Sequence, residues 1–407
     1  MLAGAGANDA WQWLAGRRRA GRARDPRIAR ALLDTLGLPD PPAVVHVVGT
    51  NGKGSVATAL AAMARSAGFT SGCFVSPHVE HYAERIAVDG RQIGPDEVTS
   101  FVERARALVA AGVPAACAAG FFEWTLALAL ETFAARGVDM AVIEAGVGAR
   151  LDATQALGNV VAAVVTSIDL DHLDTLGADL EAIAADKAAA VRPGVPLVTG
   201  ARGVGLARLR AEAARQGAPL LLADEHEPLA ALPPALAHHA AEHGWPATRA
   251  DNLRLACAVA RIVGWPEPAL LAGALSPAPP ARFERFEIAG VQVVLDGAHD
   301  PAAARRLALD LPAGAVLVFG ALRRKQGAAT LAALAPHVAR VIVTSPVPSE
   351  PPGPWPADAR LTEPADALRT AAAWAGRGGT VVVAGSLYLA GRVRPLLRHA
   401  TAVAAAG

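Results

Sequence analysis

Cysteine is scarce in this 407-residue chain: Cys73, Cys117 and Cys257 stand far apart. They supply neither a disulfide framework nor a metal-ligand spacing, a usage that fits a reducing cytoplasm. Charge is equally thin, at 18% of positions, and 38 Lys and Arg against 37 Asp and Glu leave a formal net charge of +1. So neutral a chain has no general attraction for nucleic acid, although a local anion site stays open. Long apolar runs are also missing. The best candidate, 115–135, is interrupted by Glu123 and Glu131, so no stretch reaches the ~20 uncharged residues of a membrane span. Asp9 falls where a secretory leader would need its apolar core, so no such leader is expected. What remains is apolar: 53% hydrophobic residues and a mean hydropathy of +0.31 exclude a disordered chain. At roughly 150 residues per domain the length suggests two or three domains.

Residues 25–36 read as an amphipathic helix behind the Arg-rich segment 17–24, whose arginines suit a solvated face better than a nucleic-acid patch. From Val44 onward, short Val- and Ile-rich runs alternate with helical segments. They are VVHVVG, a helix over 55–68, GCFVSP, the helix FFEWTLALALETFAARG, DMAVIEAG and NVVAAVVTSI. Continuous β-branched runs between amphipathic helices predict a parallel sheet covered on both faces. After the stiff linker 276–280 a second series follows: VQVVLDGAH, AVLVFGAL, RVIVTSP and TVVVAGSLY. The expected fold class is therefore α/β. An N-terminal P-loop ATPase domain with a mostly parallel sheet and a leading helical segment takes 1–283, and a smaller Rossmann-like domain takes 284–407. The Pro-rich stretch 349–359 reads as a surface loop.

The first strand ends in Gly49-Thr50-Asn51-Gly52-Lys53-Gly54-Ser55 and opens directly into a helix. A phosphate cradle needs that context: glycines let backbone N–H groups turn inward, the helix N-terminus adds positive potential, and Lys53 supplies a point charge. The spacing is not that of a usual Walker A loop, since one extra glycine separates Lys53 from Ser55. Further polar groups end other expected strands, the edge where ligands of open α/β sheets collect. Glu144 ends DMAVIE, Ser76 ends GCFVS, and His172 follows VVTSIDLD, with Lys187 on the next helix. Hard Mg²⁺ prefers oxygen, so one carboxylate and a hydroxyl or two suffice beside water and phosphate. Taken singly, Ser76 also reads as a turn residue and His172 as a loop or cap residue, with Asp169 and Asp171 competing for any acidic role.

In order and spacing, GTNGKGS, SPHVEHYAERIAVDG, FFEWTLALALETF, VIEAGVGARLDATQ, TSIDLDHLDTLGADLEAIAADKA, PARF, DGAHDP and GSLYLAG resemble the folylpolyglutamate synthase and dihydrofolate synthase family. That family lies within the Mur ligase superfamily. The likeness runs from about Trp11 to Arg394 and is specific in combination. It implies an ATP phosphate loop at Thr50, Asn51, Gly52, Lys53, Gly54 and Ser55. It also implies two Mg²⁺ ions, held through Ser55, Ser76, Glu144, His172 and Lys187, the last being the lysine the family carbamylates. Asn252, Arg282 and Asp296 match contacts to adenine, phosphate and ribose. Gly120, Phe121, Phe122 and Glu123, with Leu151, Asp152 and Ala153, fall where the family holds pteroate. His299 faces nucleotide and incoming glutamate. Lys53, Glu144, His172, Lys187, Arg282 and His299 are the implied catalytic set.

The chain departs from the family pattern at Ala149, Gln155 and Ala189, at Gly120, at Asp300 in place of an asparagine, and at Arg323-Arg324-Lys325-Gln326 in place of an acidic segment. Arg22-Ala23-Arg24 stands where bifunctional relatives contact dihydropteroate. The implied activity is ATP-dependent ligation of L-glutamate to dihydropteroate and to reduced folates through an acyl phosphate. Polyglutamylation alone, or another Mur-type amino-acid ligation, are the alternatives. The implied partners are these small molecules, with no nucleic acid and no membrane, for a cytoplasmic monomer. Closure of two domains over ATP would keep water from the intermediate.

Overall fold

The computed structural model describes residues 5–17, 24–171, 173–177, 179–223, 231–323 and 325–406. His172, most of the Arg-rich segment (18–23) and Arg324 lie outside the described residues. The chain divides into two compact units. The first holds residues 1–244 and 249–277, the second 245–248 and 278–407.

The strands of the first unit are β1 (Ala43–Val48), β2 (Ser71–Phe74), β3 (Ile86–Val88), β4 (Arg91–Gln92), β5 (Met140–Glu144), β6 (Val160–Val165), β7 (Leu197–Thr199) and β8 (Leu220–Leu222). They form one sheet in the order β4-β3-β2-β5-β1-β6-β7-β8. Every pairing from β2 to β8 is parallel, while β3 and β4 add an antiparallel edge. The expected runs all form, with shifted ends. GCFVSP stops as a strand at Phe74, and the helix expected over 55–68 is Lys53–Ser66. The small strands β3 and β4 were not anticipated, because two- and three-residue strands carry too little alternation to read.

Local chemistry sets the helix starts. Asp25 caps helix Pro26–Thr35 by accepting the Arg27 N–H at 2.9 Å, with proline in the first turn, where its missing N–H costs nothing. Helix Phe121–Ala135 begins where Glu123 reaches back to accept the Gly120 N–H at 3.1 Å. That helix is buried on nearly every face and brings Trp124, Leu126, Leu128, Leu130 and Phe133 into the main core beside Phe74 and Phe101. No helix among the described residues is long and apolar enough to cross a membrane.

The second unit has β9 (Glu284–Ile288), β10 (Val291–Leu295), β11 (Val316–Phe319), β12 (Arg340–Thr344), β13 (Ala359–Leu361) and β14 (Thr380–Ala384). Their order is β13-β12-β11-β14-β10-β9, parallel except for the β9–β10 hairpin. The Pro-rich stretch is tied down. Trp355 packs edge-on to Phe319 at 5.3 Å and joins the core, while Arg360 donates to the Trp355 carbonyl at 3.0 Å.

Candidate active site

Four neighbouring parallel strands of the first unit, β2, β5, β1 and β6, point their C-terminal ends the same way. The loops leaving them carry Ser76, Glu144 and its successors, the glycine loop, and Thr166 to Asp171. Backbone polarity then locks the glycine loop onto the loop after β6. The Thr50 N–H donates to the Ser167 carbonyl at 2.9 Å, and the Asn51 N–H to Ser167 Oγ at 3.1 Å. Thr166 Oγ1 donates to the Asn51 carbonyl at 2.5 Å. Thr50 Oγ1 donates to the Asp169 carbonyl at 3.2 Å and accepts from its N–H at 3.1 Å. Two of the glycines are obligatory. Gly49 has φ 150° and a Cβ there would lie 1.9 Å from Thr166 Oγ1, while Gly52 has φ 85° and its Cβ would lie 2.3 Å from Asn252 Oδ1. Asn252 is thereby placed against the loop itself, from helix Ala247–Ile262.

Lys53 opens helix Lys53–Ser66, and its Nζ donates to the Thr50 carbonyl at 3.1 Å. Glu144 is 3% exposed at the end of β5 and accepts the Ser76 N–H at 2.9 Å on Oε2. That oxygen would stand 3.4 Å from a Cβ on Gly54, which places the carboxylate directly against the glycine loop. Lys187, 2% exposed, ends helix Leu180–Lys187 and donates from Nζ to the Gly49 carbonyl at 3.0 Å. Burial, followed by the charge of Lys53, pulls its pKa from 10.5 down to about 7, although Asp186, Asp171 and Asp152 act the other way. The amine is thus held near the point of losing its proton.

A buried polar relay underlies the loop after Glu144. Asp152 Oδ2 accepts the N–H groups of Gly146 and Val147 at 3.1 and 3.0 Å. Its Oδ1 accepts the Thr154 N–H at 3.0 Å and the Thr154 hydroxyl at 2.6 Å. The Thr154 oxygen lies 2.8 Å from Nε2 of His46, in the middle of β1 between β5 and β6. Since the one hydroxyl proton goes to Asp152, His46 must donate from Nε2, which fixes its tautomer. Burial, helped by the charge of Arg192, pushes this imidazole down to about 3, so it stays neutral. Burial raises Asp152 above the usual carboxylate value against the pull of its hydrogen bonds. His46 and Thr154 were missed as site residues. The signal was present: one histidine inside the run VVHVV is a polar group with nowhere to go but a buried partner.

The remaining first-unit candidates collect around this loop. Phe122 fills the space beside Gly146, whose Cβ would lie 2.8 Å from its ring, and tilts against Phe74 at 5.5 Å. Phe121 meets Trp11 and Tyr82 edge-on, at 5.8 and 6.3 Å, with the Arg85 guanidinium 5.1 Å over its ring. Glu123 is occupied as the cap of its own helix, and Gly120 is that cap position. Leu151 and Ala153 flank Asp152, with Ala153 buried. Arg24 donates to the Val147 carbonyl at 2.5 Å, so the end of the arginine segment reaches the same loop. Asp186 accepts the Ala149 N–H at 2.7 Å, which ties the departure at 149 to the helix that ends in Lys187.

In the second unit Asp296 ends β10's run and is shared between the Phe283 and Ala298 N–H groups, both at 2.8 Å. Burial raises its pKa, opposed first by the Arg282 charge. Arg282 lies so close to Gly297 that a Cβ there would meet its Nη1 at 2.8 Å. The His299 Nδ1 lies 2.9 Å from the Gly297 carbonyl. Arg282, Asp296 and His299 therefore share one loop system. Asp300 caps helix Pro301–Ala308 by accepting the Ala303 N–H at 2.9 Å, a task for which a carboxylate serves as well as an amide oxygen. The Arg323 N–H is taken by Glu350 at 2.9 Å.

Comparison with known proteins follows the same two-part division. The Mur ligase middle domain matches residues 47–193, and the Mur ligase, glutamate ligase domain matches 281–387. The dihydrofolate synthase/folylpolyglutamate synthase of Escherichia coli is 33% identical over 324 residues, 73% of this chain and 72% of that protein. A probable bifunctional folylpolyglutamate synthase/dihydropteroate synthase of Halobacterium salinarum is 34% identical over 347 residues, 78% of this chain. The chain spans only 41% of that longer protein. Among solved structures, E. coli FolC in complex with DHPP and ADP superposes with a TM-score of 0.81 at 27% identity, covering 98% of this chain and 99% of that one. Mycobacterium tuberculosis folylpolyglutamate synthase complexed with ADP gives 0.80 at 28%, covering 97% and 98%.

Proposed function

Since the chain belongs to the folylpolyglutamate synthase/dihydrofolate synthase family of Mur ligases, we propose that it joins L-glutamate to dihydropteroate and to reduced folates at the expense of ATP. The observation that carries this reading is the clamped glycine loop with Lys53 and Glu144 at one sheet edge. The ADP-bound relatives support nucleotide binding there. An oxygen of the pteroate or folate carboxylate attacks the γ-phosphorus of ATP, the bond to the β-phosphate oxygen breaks, and ADP leaves. The amine of glutamate then attacks the acyl carbon, phosphate departs, and the nitrogen loses a proton.

In this scheme the loop N–H groups and Lys53 hold the phosphates, and Asn252 stands at the nucleotide's entry to the loop. Arg282 balances charge developing on the transferred phosphoryl group, Asp296 orients the ribose, and His299 helps place glutamate. The oxygen-rich edge, with a carboxylate facing bare Gly54, fits a hard cation. Ser55, Ser76 and Glu144 would hold one Mg²⁺, and His172 with Lys187 a second; bound there, Mg²⁺ supplies charge neutralisation for the phosphates. Lys187 fits the second role only as a carbamate. Its lowered pKa leaves a neutral amine that can add CO₂ and lose a proton, which turns a buried cation beside Lys53 into an anion. Phe121, Phe122 and the loop 146–153, held by Asp152, would receive the pterin.

Phosphate release from ATP and L-glutamate, with dihydropteroate, reduced folate and a muramoyl nucleotide supplied in turn, tests the reading. Release with both pterins is expected. Release with reduced folate alone removes the dihydrofolate synthase half, and release only with the muramoyl nucleotide overturns the assignment.

A further inference from the structure

The helix Pro234–Glu242 and its C-cap carry the run His238-His239-Ala240-Ala241-Glu242-His243. Residues three and four apart share a helix face, so His239, Glu242 and His243 project together. In the structure their donor atoms all lie within 4.8 Å of one another. The imidazoles of His239 and His243 are stacked, with ring centres 3.9 Å apart and planes 24° from parallel, so one ring has to turn about its side-chain bonds before both in-plane lone pairs face a single ion. The backbone sets the tautomer of one of them. His243 Nδ1 is 3.0 Å from the His239 carbonyl, which can only accept, so Nδ1 carries the proton and an ion would bind through Nε2. Metal-binding histidines are commonly held by this kind of N–H to carbonyl bond, which sets tautomer and ring angle before the ion arrives. Glu242 also lies 3.7 Å from His238 on the exposed side of the helix.

We propose that His239, Glu242 and His243 form a surface site for a divalent transition-metal ion of the zinc type, separate from the magnesium chemistry of ATP. Two imidazoles and one carboxylate suit Zn²⁺, Co²⁺, Ni²⁺ or Cu²⁺, whereas Mg²⁺ prefers an all-oxygen shell. The H-x-x-E-H spacing also occurs in zinc hydrolases. Here the donors are half-buried or exposed on a nine-residue helix, a setting for ion binding and not for hydrolysis. The position gives the ion a structural consequence. It would bridge the last helical turn to its cap, where terminal carbonyls otherwise fray, just before Gly244 turns the chain with φ 53° out of the first unit.

Equilibrium dialysis of the full chain against Zn²⁺, with Mg²⁺ in large excess to occupy oxygen sites, reads the proposal directly. The parent should retain one zinc equivalent that the double variant H239A/H243A lacks, with unchanged circular dichroism. E242Q should bind more weakly by at least the ~10-fold that loss of an outer-shell partner costs. Equal zinc stoichiometry and affinity in parent and double variant would overturn the site, and parent-like affinity in E242Q would remove the carboxylate from it. Independently of any variant, Zn²⁺ should shield His239 and His243 from acylation by diethyl pyrocarbonate. Equal labelling with and without the ion also overturns the proposal.

Discussion

Replacing His46 separates the buried relay from the rest of the fold. In the native chain the imidazole is 1% exposed and its pKa is pushed from 6.5 to about 3, chiefly by burial. Below pH 6.5 the unfolded chain therefore binds a proton that the folded chain refuses. Stability contributed by the neutral imidazole is complete above that pH and is lost as pH falls towards about 3. Each unit of that fall costs up to ~1.4 kcal/mol, so between pH 7.5 and pH 5 the parent should lose about 2 kcal/mol more than a variant without a titratable group at 46.

Two variants divide the electrostatic part from the hydrogen bond. His46→Leu leaves Thr154 without its donor and should cost about 1–3 kcal/mol at pH 7.5. His46→Asn removes the titration but keeps an N–H. Urea unfolding of all three proteins at the two pH values measures the gap, and phosphate release at pH 7.5 reports on the loop that Asp152 holds. Both variants should show the flattened acid limb, and His46→Leu should lose more turnover than His46→Asn. Parallel stability profiles for parent and variants, agreeing within ~0.5 kcal/mol across the range, would refute the buried neutral imidazole. Equal turnover in His46→Leu and the parent would refute its link to the site.

Lys53→Ala should keep the circular dichroism spectrum while turnover falls by on the order of 10²-fold or more, as expected when a fixed charge is withdrawn from phosphoryl transfer. Normal turnover would remove the phosphate-loop assignment. For Lys187, intact mass under bicarbonate should show one added CO₂, and Lys187→Ala should regain activity with small carboxylic acids; failure of both leaves no support for a carbamate. Without bicarbonate, the depressed lysine predicts stability that rises with pH from about 7 towards 10.5, because there the unfolded chain holds the extra proton. A flat profile in that window, relative to Lys187→Met, counts against it. Asp300→Asn keeps a side-chain oxygen for the Ala303 N–H, so the cap should survive and any loss should stay below the ~1 kcal/mol that removal of an N-cap costs. A larger loss in thermal unfolding would show that the charge, and not the cap, matters.

Some of the site was legible because its chemistry is local. Strand, glycine loop and helix follow one another within residues 43–66, and the spacing of Gly49, Gly52 and Lys53 needs no distant partner to be read. Glu144 and Asp296 stand at strand ends for the same reason. Other residues gained a further role on folding. Glu123 also caps its own helix, and Asp300 caps another, because caps depend on which N–H groups are open.

Periodicity and composition alone determined two α/β series, a glycine loop between strand and helix, and a chain with little net charge, because β-branched runs, helical spacing and glycine each act over a few residues. Tertiary structure decided which loops meet. The parallel order β2-β5-β1-β6 brings Ser76, Glu144, Gly49 and Thr166 to one edge, although more than 100 residues separate the glycine loop from the segment that clamps it. It also decided that His46 would be buried and neutral and Lys187 poised near pH 7. Desolvation depends on what packs around a group, and those neighbours come from distant parts of the chain.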